Sequence, residues 1–259
     1  MILRIGRATS GRLSLSQPLE PCSPPEAFSA IGKIPVVEWN RERVHLIAQK
    51  VIKLGLAIQS DFMPEDLVID KSKTALVVID LQKGIAAIPS RPFSAKEVIA
   101  NAAELVNAFR KNNMIVFLVH VDTTKETMLN VISDQTFTRP LPASPDWAEF
   151  VPELTPTPSD VVIAKRQWGA FYGTELDLQL RRRKIDTIVL CGIATDYGVE
   201  STARFAYDYG YQQIFAEDAM ASRSDEQHNA AVNFIFKRMV RVRKTGEILE
   251  AINGFSNRS

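Results

Sequence analysis

Thr74–Asp80 reads TALVVID, a continuous apolar run rich in β-branched residues. A strand with one wet face alternates apolar and polar side chains. A run without alternation marks a strand buried on both faces, as in a parallel sheet. Further strands are read at Met114–Val121, Val161–Ala164, Thr187–Cys191, Gln212–Ala216 and Met239–Val242. Segments with helical spacing separate them. Ser94-Ala95-Lys96-Glu97 is a capping box ahead of Val98, Ala102, Leu105, Val106 and Phe109. Thr174–Arg183 carries Leu176 and Leu180 on one side, and Tyr197–Tyr209 is stopped by Gly210. Ser224 or Asp225 caps a helix whose Ala230, Ala231, Phe234 and Ile235 face inward, and Thr245-Gly246-Glu247 starts the last helix. Doubly buried strands alternating with amphipathic helices predict an α/β fold, a doubly wound parallel sheet of about six strands in three layers.

The flanking sequence is less regular. Gln17 to Pro35 is rich in Pro and Ser, and Val44, Ile47, Ala48, Val51 and Ile52 then predict an amphipathic helix over Trp39–Leu54. His45 lies in that helix and reads as a surface or packing residue. Leu56–Lys73 is a connector. Asp122–Ser159 carries six prolines and little periodicity, a long loop of the kind that serves function or a partner contact, with Trp147 and Phe150 as a short helix holding it down. Met1–Ala30 holds Arg4, Arg7 and Arg12 and no acid before Glu20. That pattern faintly resembles an organelle transit peptide; an irregular extension explains it as well.

A net charge of +1 gives no electrostatic footprint for nucleic acid or membrane, and no apolar run reaches transmembrane length. The basic run Arg181–Lys184 closes a predicted helix, where cations complement the helix dipole. Two cysteines, Cys22 and Cys191, make neither a disulfide framework nor a metal set. Three scattered histidines without an HExxH or CxxC motif are a poor ligand set, and strand one is followed by LQKGI instead of a GxGxxG fingerprint. No metal and no cofactor are expected.

In doubly wound sheets, ligands sit outside the carboxyl ends of the strands. Asp80, Lys165 and the turn Gly192–Gly198 all fall there. A carboxylate ending an apolar strand is costly to bury unpaired, and Lys165 is its natural partner. The pair reads either as a salt bridge pinning two loops or as a carboxyl whose proton traffic is tuned by the ammonium. Gln82, two residues on, could hold a substrate or water. The stretch VLCGIATDYGVESTAR runs from strand to helix start, where backbone N–H groups converge. A nucleophile at the helix start would be activated, but position 198 is glycine. Cys191 ends a strand and reads as an inert core thiol. His120 reads as a structural residue or pocket rim, His228 as a surface residue.

These residues resemble the isochorismatase-like (cysteine hydrolase) family. The matching pieces are TALVVIDLQKGI (74–85), VVIAKRQWGAFYGTELDLQLR (161–181), VLCGIATDYGVESTARFAYDYGY (189–211) and IFAEDAMASRSDEQHNAAV (214–232). With their spacers they cover Thr74 to about Ile252, and the first seventy or so residues have no counterpart. The resemblance implies a Rossmann-like hydrolase domain over residues 74–254; ahead of it, composition and spacing predict an irregular or extended segment (1–36) and an amphipathic helix with connector (37–73). It implies a small-molecule substrate, a homo-oligomer (dimer or higher), a cytoplasmic location, and no nucleic acid or membrane partner. The family's catalytic aspartate falls on Asp80 and its lysine on Lys165. A non-proline cis peptide would fall at Ile193–Ala194. Trp168, Phe171, Ile193, Ala194 and Tyr197, with Gln82, would contact substrate.

The chain departs from the amidase members at Gly198, where they carry the attacking cysteine. Members similar to true isochorismatases also have glycine there and cleave a vinyl ether. The resemblance therefore implies Asp80-mediated protonation of an enol ether such as isochorismate. The alternatives are an amidase-type member acting on a small amide with water or another residue replacing the thiol, and a non-catalytic binding or scaffold homologue.

Overall fold

The computed structural model describes residues 67–122, 129, 131–134 and 144–254. The chain divides into two units, Met1–Met63 and Pro64–Ser259, and every described residue belongs to the second. The expected helix Trp39–Leu54 with His45, the N-terminal segment with Cys22, and most of the long Pro-rich loop lie outside the described residues.

Six strands, β1 (Thr74–Ile79), β2 (Val116–Val121), β3 (Val161–Lys165), β4 (Thr187–Ile193), β5 (Gln212–Ala221) and β6 (Arg241–Arg243), form one sheet in the order β3-β2-β1-β4-β5-β6. Every pairing is parallel. Helices flank both faces of the sheet, giving a three-layer α/β architecture. They are α1 (Lys83–Ala86), α2 (Ala95–Lys111), α3 (Leu176–Arg182), α4 (Glu200–Asp208), α5 (Asp225–Ala230) and α6 (Thr245–Asn253). All six residues of β1 are buried, as its unbroken apolar run requires. Edge strand β3 instead alternates, with Val162 exposed and Ile163 buried.

The capping box before α2 forms as the sequence predicts: Ser94 Oγ accepts from the Glu97 amide, and the Glu97 carboxylate accepts from the Ser94 amide at 2.8 Å. β5 and the helix after it differ from expectation. β5 runs five residues past Ala216 because Glu217 and Asp218, which interrupt its apolar run, are used by neighbours. Glu217 pairs with Lys244, and Asp218 Oδ1 accepts from the amide and hydroxyl of Thr245 at 2.7 Å each, capping α6. After α5 the chain widens into a π-helical turn, Ala231–Ile235. The wider turn shifts the helix phase, so Val232 and Phe236 are buried while Phe234, expected inside, is exposed.

The strand order reverses between β1 and β4, which pair in register up to Ile79 and Gly192. A Cβ on Gly192 would lie 2.0 Å from the Ile79 carbonyl oxygen, and its φ is +129°. Only glycine fits this close approach. The carboxyl ends of β1 and β4 are thereby brought edge to edge. No helix among the described residues is long and apolar enough to cross a membrane.

Candidate active site

Asp80 follows β1 directly. Its amide continues the ladder, donating to Val119 O at 2.9 Å, while its backbone turns into the left-handed region at φ 55°. Aspartate tolerates that region better than most residues. Lys165 closes β3, on the far side of β2. Strands two positions apart are separated by about 10 Å, so only a long side chain reaches across. Lys165 does: Nζ lies 2.8 Å from Asp80 Oδ2, and both side chains are buried. Its other protons go to Trp168 O at 2.8 Å and Gln167 O at 3.2 Å. With three acceptors for three donors, the ammonium is satisfied inside the protein. A buried pair of this kind is strongly destabilised when one partner is removed.

The turn after β4 meets this pair. The Ile193–Ala194 peptide bond is cis. Thr195–Val199 then form a π-helical turn in place of the regular first helical turn expected, and Ala194 O accepts from the amides of Tyr197 and Val199, both at 3.2 Å. The turn sets Gly198 against the acid. A Cβ here would lie 2.9 Å from Ile79 Cγ2, 3.1 Å from Asp80 Oδ2 and 3.4 Å from Trp168 O. Asp80, Lys165 and Gly198, far apart along the chain, thus share one locus.

Thr202, which the sequence reading did not single out, ties the pieces together. Its buried hydroxyl donates to Gly198 O at 2.6 Å and accepts from the Ala170 amide at 3.0 Å. The signal was present in the sequence as a small hydroxyl residue four positions after Gly198, the spacing of a helical back-bond.

The remaining residues divide. Trp168 is half exposed and meets Tyr197 edge-on, with ring centroids 4.8 Å apart. Ile193 and Ala194 supply the cis peptide beside them. Phe171 does not join this group: it is buried against Tyr209 and Tyr211, past the far end of α4, where it serves packing. Gln82 is fully buried and its amide is taken by backbone. Oε1 accepts from Val121 N at 2.7 Å, and Nε2 donates to the carbonyls of Val121 and Trp147 at 3.3 Å. It fastens segment 144–150 to β2. That segment is a turn, without the expected short helix, and Lys83 clamps it through Asp146 and Glu149, each at 2.8 Å. Trp147 covers Gly84 so closely that a Cβ there would sit 2.0 Å from the indole.

His120 takes the structural alternative, its Nδ1 3.1 Å from Ala148 O and its ring on Phe150. His228 is not on the surface: it is fully buried, with Nδ1 2.9 Å from Thr195 Oγ1. Helix α5 folds back over the turn and buries it. Cys191 is sealed in the sheet, and burial pushes its thiol up to about 12. Among the described residues, no group of three His, Cys, Asp or Glu could hold a metal ion.

An isochorismatase domain model matches residues 74–247. The chain is 51% identical over 196 residues to the uncharacterized isochorismatase family protein YwoC of Bacillus subtilis, covering 73% of this chain and 100% of that protein. It is 47% identical over 189 residues to the uncharacterized isochorismatase family protein YecD of Escherichia coli O157:H7, covering 72% and 100%. Among solved structures, an isochorismatase family protein from Burkholderia thailandensis is similar with a TM-score of 0.68 and 41% identity, over 72% of this chain and 98% of that one.

Proposed function

The chain belongs to the isochorismatase family of hydrolases, and from that premise we propose that it cleaves a vinyl ether of the isochorismate type by proton transfer from Asp80, without a covalent intermediate. The observation that carries this reading is Gly198. A side chain there would stand against the Asp80 carboxylate, the place from which a nucleophile could work with the acid, and there is none. Cys191 cannot substitute, since its thiol is buried and its thiolate disfavoured.

In the proposed reaction the Asp80 carboxyl gives its proton to the methylene carbon of the enolpyruvyl group. The C=C electron pair forms the new C–H bond and leaves an oxocarbenium ion. Water adds to that carbon and returns a proton to Asp80. The hemiketal then collapses, breaking the C–O bond, to pyruvate and the dihydroxylated cyclohexadiene carboxylate. Lys165, 2.8 Å from Asp80 Oδ2, would stabilise the carboxylate left on Asp80. Trp168 and Tyr197 would flank the substrate.

The test is incubation of purified protein with isochorismate, with pyruvate measured through lactate dehydrogenase. Turnover is expected. Folded protein that releases no pyruvate but hydrolyses a small amide would replace this reading with an amidase one.

A further inference from the structure

His228 is the buried titratable group that the proposed reaction leaves unused. It lies in α5, fully buried, between the π-helical turn, β5 and the start of α6. Nδ1 is 2.9 Å from the hydroxyl of Thr195, the first residue of the turn that carries Gly198. Nε2 makes no hydrogen bond among the described residues and lies 4.0 Å from Glu217 Oε1. Lys244 holds the other Glu217 oxygen at 2.9 Å and sits over the Phe93 ring, which meets His228 edge-on.

This arrangement selects one tautomer. A nitrogen that faces a carboxylate is favoured with its proton and disfavoured with its lone pair. The proton therefore sits on Nε2, and Nδ1 is left as an acceptor for the Thr195 O–H. A threonine hydroxyl in a helical turn otherwise bonds back to its own backbone. Here it is drawn out to His228, which fixes the Thr195 side chain at the point where the chain leaves the Ile193–Ala194 peptide.

We propose that His228 is a positioning residue of the active site: as its neutral Nε2–H tautomer it anchors Thr195, and through Thr195 the turn that sets Gly198 against Asp80. The inference rests on the reading of Asp80 and this turn as the reacting site. Protonation would reverse the link, since an imidazolium Nδ1–H can only donate and Thr195 would have to accept. The charged and titratable groups facing the ring are Glu217 from β5, Lys244 before α6, Asp196 from the turn and Asp225 from its own helix. Burial holds the imidazole below its usual range, with Lys244 acting in the same direction and the three acids opposing. The link is therefore intact at neutral pH.

Three histidines make the ring resonances assignable by NMR of the full chain, with His228→Asn identifying the signal. The expected result is a neutral Nε2–H ring that stays neutral as pH falls through about 6.5, where an exposed histidine titrates. A ring that titrates at or above that value, or that carries its proton on Nδ1, overturns the proposal.

Position is read at the Gly198 amide, which needs no substrate. Its resonance should move in His228→Leu and return in His228→Asn, whose Oδ1 can take the place of Nδ1 as acceptor. On isochorismate, His228→Leu and Thr195→Val should each lower kcat at least about 10-fold with KM nearly unchanged, as small misplacements do. The double variant should be no worse than the poorer single one, and His228→Asn should restore kcat to within about 3-fold of wild type. Multiplying losses, or a Gly198 amide indifferent to His228→Leu, would contradict the anchor. If wild type releases no pyruvate, the proposed reaction falls and the Gly198 amide still decides this inference.

Discussion

Lys165 directs its three protons to Asp80 and to the carbonyls of Gln167 and Trp168, all within 3.2 Å. Lys165→Met leaves Asp80 buried without that cation, and chemical denaturation should show a loss of about 3–5 kcal/mol along with the activity. Cys191 gives the opposite prediction. Its thiol, pushed up to about 12, holds almost no thiolate at neutral pH. Peptide mapping after alkylation of the native protein should find Cys191 unmodified, and Cys191→Ala should keep full turnover. At Gly198 even one methyl group meets Ile79 Cγ2 at 2.9 Å and the Asp80 carboxylate at 3.1 Å. Gly198→Ala should therefore depress kcat, and an unchanged rate would show that the reacting carbon lies elsewhere.

At the scale of elements, the Thr202 hydroxyl bridges the turn Thr195–Val199 and the loop after β3. Thr202→Val keeps the shape but takes the acceptor from the buried Ala170 amide, which should cost about 1–3 kcal/mol. A thermal melt of the variant beside wild type checks it. What the sequence made legible follows the same division. β1 and β2 could be read because continuous apolar runs have one explanation, and α2 because its capping box is local. The far half of β5 could not, since Glu217 and Asp218 look like loop residues until α6 supplies their partners. Nor could the two π-helical turns, which carry no composition signal and shift which side chains face inward. Asp80 and Lys165 were legible from position at strand ends, and Gly198 from the family resemblance of its turn. Gln82, Phe171 and His228 were misplaced because their partners, Val121, Tyr209 and Thr195, come from distant stretches of chain.

For the whole molecule, sheet order explains why these residues meet. The reversal between β1 and β4 opens the crevice, Asp80 and the Gly198 turn occupy its two sides, and Lys165 reaches in across β2. The same architecture gives stability a pH dependence through His228. Its folded value is depressed, so the unfolded chain binds more protons in the window just below the unfolded value of 6.5. This contribution is complete above that value and is lost as pH falls through the folded one. Wild type should lose more melting temperature on acidification across that window than His228→Asn; parallel curves would show that the buried imidazole contributes nothing. The most direct measurement of the central claim is turnover of isochorismate in heavy-oxygen water by wild type and by Asp80→Asn. The account predicts pyruvate from wild type, a ring hydroxyl in the coproduct free of heavy oxygen, and a rate about 10²–10⁴-fold lower in the folded variant. Equal rates in the two proteins, or heavy oxygen in the ring hydroxyl, would contradict it.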